Sequence, residues 1–115
     1  MKIEQINVLV LAYLGDTIYE DYIREYLINL GINNVNDLQK ESVKYVSAKG
    51  QAKFLKDLIE CNFFTDDELS IIKRARNHKS VSHPRSCDIV TYKHATGFEA
   101  LIGYLKLQNN IVFLL

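Results

Sequence analysis

The spacing of apolar positions along the chain is helical almost throughout. Ile18, Tyr19, Tyr22, Ile23, Tyr26, Leu27 and Leu30 fall on one stripe, and Gly31 follows as a natural helix stop. A second helical run extends from about Ser42 to Glu60, with Val43, Val46, Ala52, Leu55 and Ile59 as its apolar positions. Its polar side carries Lys49, Lys53 and Lys56, a pattern shared by any solvated helix face. Thr65-Asp66-Asp67-Glu68 matches a capping box and predicts a helix through Leu69, Ile71 and Ile72 to about Arg76. Asn77 to Cys87, which contains Pro84, reads as irregular. Beyond it Tyr92, Ala95, Phe98, Ala100, Leu101, Ile102 and Leu105 form a last, strongly apolar helix. No run of period-2 alternation suggests a strand. The predicted class is therefore all-α, with about six short-to-medium helices packed in a bundle-like arrangement.

Composition agrees with a packed core. The chain has 115 residues, 48% of them hydrophobic, with one proline and five glycines, which argues against disorder. That length predicts one domain spanning residues 1–115. The formal net charge is zero, so attraction of the whole molecule to a polyanion is excluded as an argument. Charge is nonetheless segregated locally. Between Glu68 and Asp88 no acid occurs, while Lys73, Arg74, Arg76, Lys79 and Arg85 all fall in that window. Cys61 and Cys87 do not make a disulfide framework and read as reduced thiols. The apolar stretch at residues 6–14 is too short to span a bilayer. These features predict a soluble cytoplasmic protein with no membrane partner.

Two carboxylates stand in unusual company. Asp16 follows Val8-Leu9-Val10-Leu11-Ala12-Tyr13-Leu14-Gly15 and shares a helix face with Tyr19, Glu20 and Ile23. Glu99 sits in Phe98-Glu99-Ala100-Leu101-Ile102-Gly103. A carboxylate in apolar surroundings is costly unless a cation or several donors compensate it. Asp16, directly after Gly15, is equally well placed to be a helix N-cap. For Glu99, in mid-helix, a cap role fits poorly. With no histidine three or four residues from either, two hard oxygen donors suit Mg²⁺, or Mn²⁺ in its place, better than zinc. Such a site can activate water against a phosphodiester. Gly15 and Gly103 allow close backbone approach, either between helices or toward a bulky ligand.

Lys73-Arg74-Ala75-Arg76-Asn77-His78-Lys79-Ser80 ends one helix and enters the irregular segment. Cations near a helix C-terminus are favoured by the dipole, which accounts for Lys73 to Arg76. It does not account for the acid-free stretch that follows. Lys73, Arg74, Arg76, Asn77, Lys79 and Arg85 are a suitable set for phosphate oxygens and ribose hydroxyls, and are the candidate RNA contacts. His83 and Cys87 are spaced like metal ligands, but Cys61 and His94 complete no zinc pattern with them. Ser82 and His83 are adjacent in sequence, an unusual arrangement for a nucleophile and its base.

At the level of whole motifs, Leu11-Ala12-Tyr13-Leu14-Gly15-Asp16-Thr17-Ile18-Tyr19-Glu20 resembles the signature region of the ribonuclease III catalytic domain. Val46-Ser47-Ala48-Lys49-Gly50-Gln51-Ala52, Lys73-Arg74-Ala75-Arg76-Asn77 and the block from Ala95 to Leu105 complete the likeness, which runs in order from about Leu9 to Lys106. Together they are similar to Mini-ribonuclease III, the compact bacterial branch without a double-stranded-RNA-binding domain. The resemblance implies an all-α homodimer that cuts double-stranded RNA with Mg²⁺, leaving 5′-phosphate and 3′-hydroxyl ends. It also implies a role in maturing large-subunit (23S) ribosomal RNA from its precursor. Asp16 and Glu99 stand at the family's Leu-Gly-Asp and Phe-Glu-Ala acids, and so become both the metal ligands and the catalytic residues.

Ordinary ribonuclease III carries further acids where this chain has Leu9, Ala12 and Thr96. That thinning, shared with the compact branch, favours one firmly held ion over a two-metal site ligated wholly by protein. Without a second RNA-binding domain, selectivity falls to RNA structure or to a protein, such as a ribosomal protein, that presents the substrate. The rival is a catalytically silent module of the same fold that binds RNA or a ribosomal particle. Retention of both acids favours the enzyme.

Overall fold

A computed structural model describes residues 2–79, 85 and 87–108. After a 3₁₀ turn at Ile3–Gln5 come five α-helices: α1 (Val8–Asn29), α2 (Val35–Val46), α3 (Ala48–Glu60), α4 (Asp66–Arg76) and α5 (Ile89–Leu107). No strand occurs among the described residues, as the helical periodicity requires.

The helix ends follow from local chemistry. Asn7 caps α1, accepting from the Leu9 amide at 2.8 Å. At its other end Gly31 has φ +100°, with its N–H bonded to Ile28 O and that of Ile32 to Leu27 O. This is a Schellman stop at the glycine the sequence singles out. Asn62, at φ 56°, ends α3 in the same way. The capping box at α4 is present in both directions: Thr65 N–H to Glu68 Oε1 at 2.8 Å and Glu68 N–H to Thr65 Oγ1 at 3.2 Å. Asp88 opens α5, accepting from the Thr91 amide and hydroxyl at 2.9 and 2.8 Å. These bonds hold its carboxyl below the usual aspartate range.

The run expected from Ser42 to Glu60 is in fact two helices, a correction with a clear cause. Ser47 has φ −64° and ψ 158°, so it ends α2 and N-caps α3, accepting from the Gly50 amide at 3.1 Å. The break rotates the apolar face. Leu55 is fully buried, whereas Val43 lies 57% exposed, on the other side of the break. The first half of α2 had no visible signal because none of its residues is fully buried.

Helix α5 is the centre of the bundle, packed against α1, α4 and α3. Its residues from Ala95 to Leu105 are all buried except Glu99, which is partly so. Small residues make the α1–α5 crossing close. A Cβ at Gly15 would overlap the carbonyl of Glu99, and one at Gly103 would overlap the carbonyl of Leu11. Between the two uses the sequence left open for these glycines, helix packing is the one observed.

Candidate active site

The close crossing sets the geometry of the acids. Gly15 presses α1 onto the main chain at Glu99, and Asp16 is the next residue. The structure thus brings Asp16 and Glu99, far apart in sequence, close enough for their carboxyl groups to interact. Asp16 lies in the interior of α1, so it caps no helix. It is also exposed, contrary to the expectation of an apolar setting. The residues around it in sequence divide between two faces: Leu11, Ala12 and Gly15 point inward, while Val10 and Tyr13 remain 56% and 83% exposed. The electrostatic demand falls on Glu99 instead.

Glu99 is pushed up to about 8, first by burial, then by its hydrogen bond to Asp16 and the charge of Asp16. The amide of Gln51 acts in the opposite direction. A Glu99 carboxyl raised this far keeps its proton near neutral pH in the metal-free protein. Beneath the pair, Phe98 stacks edge-on against Tyr19 at 5.1 Å and tilts against Phe54 at 5.5 Å. These rings fix α1, α3 and α5 relative to one another, which limits how far the acids can drift.

Gln51 completes the site, and sequence reasoning assigned it no role. It is 2% exposed, and its Nε2 donates to Val46 O at 2.9 Å and to Glu99 Oε2 at 3.5 Å. Its Oε1 is buried with no partner among the described residues. The available signal was Ser47: a helix broken there leaves the Val46 carbonyl without an intrahelical donor, and a glutamine four residues on can reach back to it.

Of the positions where ordinary relatives carry acids, Ala12 and Leu9 are buried or partly buried, and the Thr96 hydroxyl donates to Tyr92 O at 2.9 Å. No cluster of three or more histidine, cysteine or acidic residues suited to a metal exists among the described residues. The donor set is two carboxylates, both hard oxygen ligands, with the unpaired Gln51 amide oxygen close by. It fits a hydrated Mg²⁺ or Mn²⁺, which keeps several of its own waters. Cys61 and Cys87 are free thiols bonded to the nearby carbonyls of Leu58 and Asp88, and His83 lies outside the described residues.

The basic residues divide. A groove of about 540 Å³ between α3 and the α4–α5 side is lined by Lys53, Lys56, Arg76, Thr91 and His94, together with Val90 and Glu60. A neighbouring hollow of about 210 Å³ adds Asn77 and Lys93. So Lys53 and Lys56, which alone resembled a solvated face, join Arg76 and Asn77 across one surface. Lys73, Arg74, Lys79 and Arg85 are exposed and line neither hollow. A separate aromatic cleft of about 460 Å³ between α1, α2 and α3, lined by Tyr22, Tyr26, Tyr45 and Phe54, contains neither acid.

The profile of the ribonuclease III domain matches residues 9–110, almost the whole chain. The chain belongs to the ribonuclease III family. It is 46% identical over 106 residues to Mini-ribonuclease 3 of Enterococcus faecalis, covering 92% of this chain and 80% of that protein. It is 48% identical to Mini-ribonuclease 3 of Brevibacillus brevis over 103 residues, covering 90% and 75% of the two chains. A crystal structure of a Fusobacterium nucleatum protein superposes with a TM-score of 0.85 at 37% identity, covering 95% of this chain and 88% of that one. As a ribonuclease III-family protein the chain is an endoribonuclease, and its two juxtaposed acids lie within the matched region. No helix of the described residues is long and apolar enough to cross a membrane.

Proposed function

We propose that this endoribonuclease is Mg²⁺-dependent, cleaves double-stranded RNA as a homodimer, and uses Asp16 and Glu99 as its metal-holding and catalytic residues. The observation that carries this reading is the close α1–α5 crossing at Gly15, which sets exposed Asp16 beside a half-buried Glu99. Asp16, exposed, offers its carboxylate outward; Glu99, behind it, is held by the close α1–α5 crossing and by Gln51. A divalent ion at such a pair supplies water activation and neutralises charge on the phosphate. The protein's part is to hold both carboxylates on rigid helices, which preserves their spacing without loop closure.

The α3–α5 groove is the proposed RNA path. Gln51, beside Glu99, immediately precedes Ala52 and Lys53 of that groove, and Glu99 follows His94 on α5. Phosphates on Lys53, Lys56, Arg76, Asn77 and Lys93 would run alongside the acids. Duplex RNA is read by shape, phosphates and 2′-hydroxyls, for which such a surface is suited. Exposed Val10 and Tyr13, one turn apart on α1 and beside Asp16, support a two-fold dimer through this face. Such a dimer presents one acid pair to each strand. Assignment to 23S ribosomal RNA maturation in the cytoplasm, with a ribosomal protein presenting the substrate, rests on the likeness to Mini-ribonuclease 3 proteins. Incubating the purified protein with duplex RNA, with and without Mg²⁺, tests the reading. Cleavage only with the ion supports it, and binding without cleavage identifies a silent module instead.

A further inference from the structure

Gln51 is a fully buried polar side chain whose two ends behave differently. The Nε2 end meets two acceptors, Val46 O at 2.9 Å and Glu99 Oε2 at 3.5 Å. The short bond to Val46 O fixes the orientation of the amide, because a flipped amide would set its oxygen against that carbonyl. Oε1 is then committed to its place, and no described residue donates to it. It is attached to the same carbon as the nitrogen that approaches Glu99, so it lies near that carboxyl group. Capping α2 explains one N–H bond, but neither the contact with Glu99 nor the unpaired oxygen. Buried acceptors are rarely left without a donor, and water is the usual one where side chains supply none.

We propose that Gln51 is a positioning residue: its Nε2 pins one oxygen of Glu99, and its Oε1 accepts a hydrogen bond from a water of the hydrated divalent cation held by Asp16 and Glu99. This rests on the metal-site reading above and adds to it a group that is not itself a ligand. It accounts for how a site with only two protein acids orients the waters that fill the rest of the coordination sphere. Outer partners of this kind typically change metal affinity or activity by about 10–100-fold when removed.

The test substitutes Gln51→Met, which keeps the apolar volume and removes both amide functions. Mn²⁺ binding is measured by electron paramagnetic resonance without RNA, and kcat and KM are measured on duplex RNA. Mn²⁺ affinity is expected to weaken by about 10–100-fold, with kcat lowered and KM for RNA unchanged. Unchanged Mn²⁺ affinity in a folded Gln51→Met protein overturns the proposal. Should that variant not fold, the side-chain ¹H–¹⁵N resonances of Gln51 in the wild-type protein decide. They are expected to shift as Mg²⁺ is added; resonances unmoved while backbone amides around Asp16 respond overturn it. A wild-type protein that binds no Mn²⁺ removes the metal reading itself, an outcome distinct from normal binding and cleavage that are indifferent to Gln51.

Discussion

Gly15 lies so close to Glu99 that a single added methyl group would overlap the Glu99 carbonyl oxygen. The neighbour is helix backbone, which cannot rotate away as a flexible side chain could. The same contact that packs α1 on α5 also sets the separation of Asp16 from Glu99, so stability and the acid pair depend on one glycine. Gly15→Ala is expected to destabilise the fold by about 1–3 kcal/mol, as overpacking generally does. It should also reduce cleavage more than its stability loss explains, with both acids retained. Thermal unfolding and a cleavage assay well below the melting temperature separate the two effects. A variant with wild-type stability and activity would show that the helices part freely.

The pH dependence follows from Glu99. Its carboxyl is raised from 4.5 to about 8 in the folded protein, chiefly by burial. Between these values the folded state binds more protons than the unfolded one, so metal-free stability falls as pH rises through this window. Glu99→Gln is expected to flatten that fall and to raise the melting temperature of the metal-free protein at pH 8. Metal must displace the Glu99 proton, so Mg²⁺ affinity should rise with pH by up to about tenfold per unit until about 8. Denaturation curves across pH check the first statement, and Mg²⁺ titrations at several pH values the second. A melting temperature of Glu99→Gln below wild type at pH 8 would contradict the sign.

For RNA binding, the groove assignment separates residues that sequence proximity had grouped. Arg76→Ala and Lys56→Ala should weaken duplex binding, and each should reduce the salt slope by about one. Arg74→Ala, exposed and outside the groove, should have the smaller effect. Filter binding at several salt concentrations measures all three. A larger loss at Arg74 than at Arg76 and Lys56 would move the RNA to the exposed side of α4.

Among the described residues Tyr13 is the most exposed of the large apolar side chains, at 83%, and Val10 accompanies it on α1. Tyr13→Arg is expected to convert a dimer into a monomer in sedimentation at micromolar concentration. A dimer that survives this change uses another face.

Much of this was readable from residues alone. The Gly31 stop, the Thr65–Glu68 capping box and the apolar α5 each have a short-range cause, so sequence displays them directly. The break at Ser47 was hidden because apolar residues continue at helical spacing through it. Asp16 was read as a carboxylate in apolar surroundings, yet it is exposed, because sequence neighbours on a helix need not share its face. For Gln51 the sequence offers only the Ser47 break, which points to the Val46 carbonyl and not to Glu99. Its contact with Glu99 exists only after α3 and α5 pack, and packing is what a linear pattern omits.

Asp16 and Glu99 are proposed to act together on duplex RNA through a divalent ion. The most direct test is Mg²⁺-dependent cleavage of duplex RNA by wild type, Asp16→Asn and Glu99→Gln, each confirmed folded by circular dichroism. Cleavage is expected from wild type alone, with duplex binding retained in both variants. Sustained cleavage by either variant would contradict it.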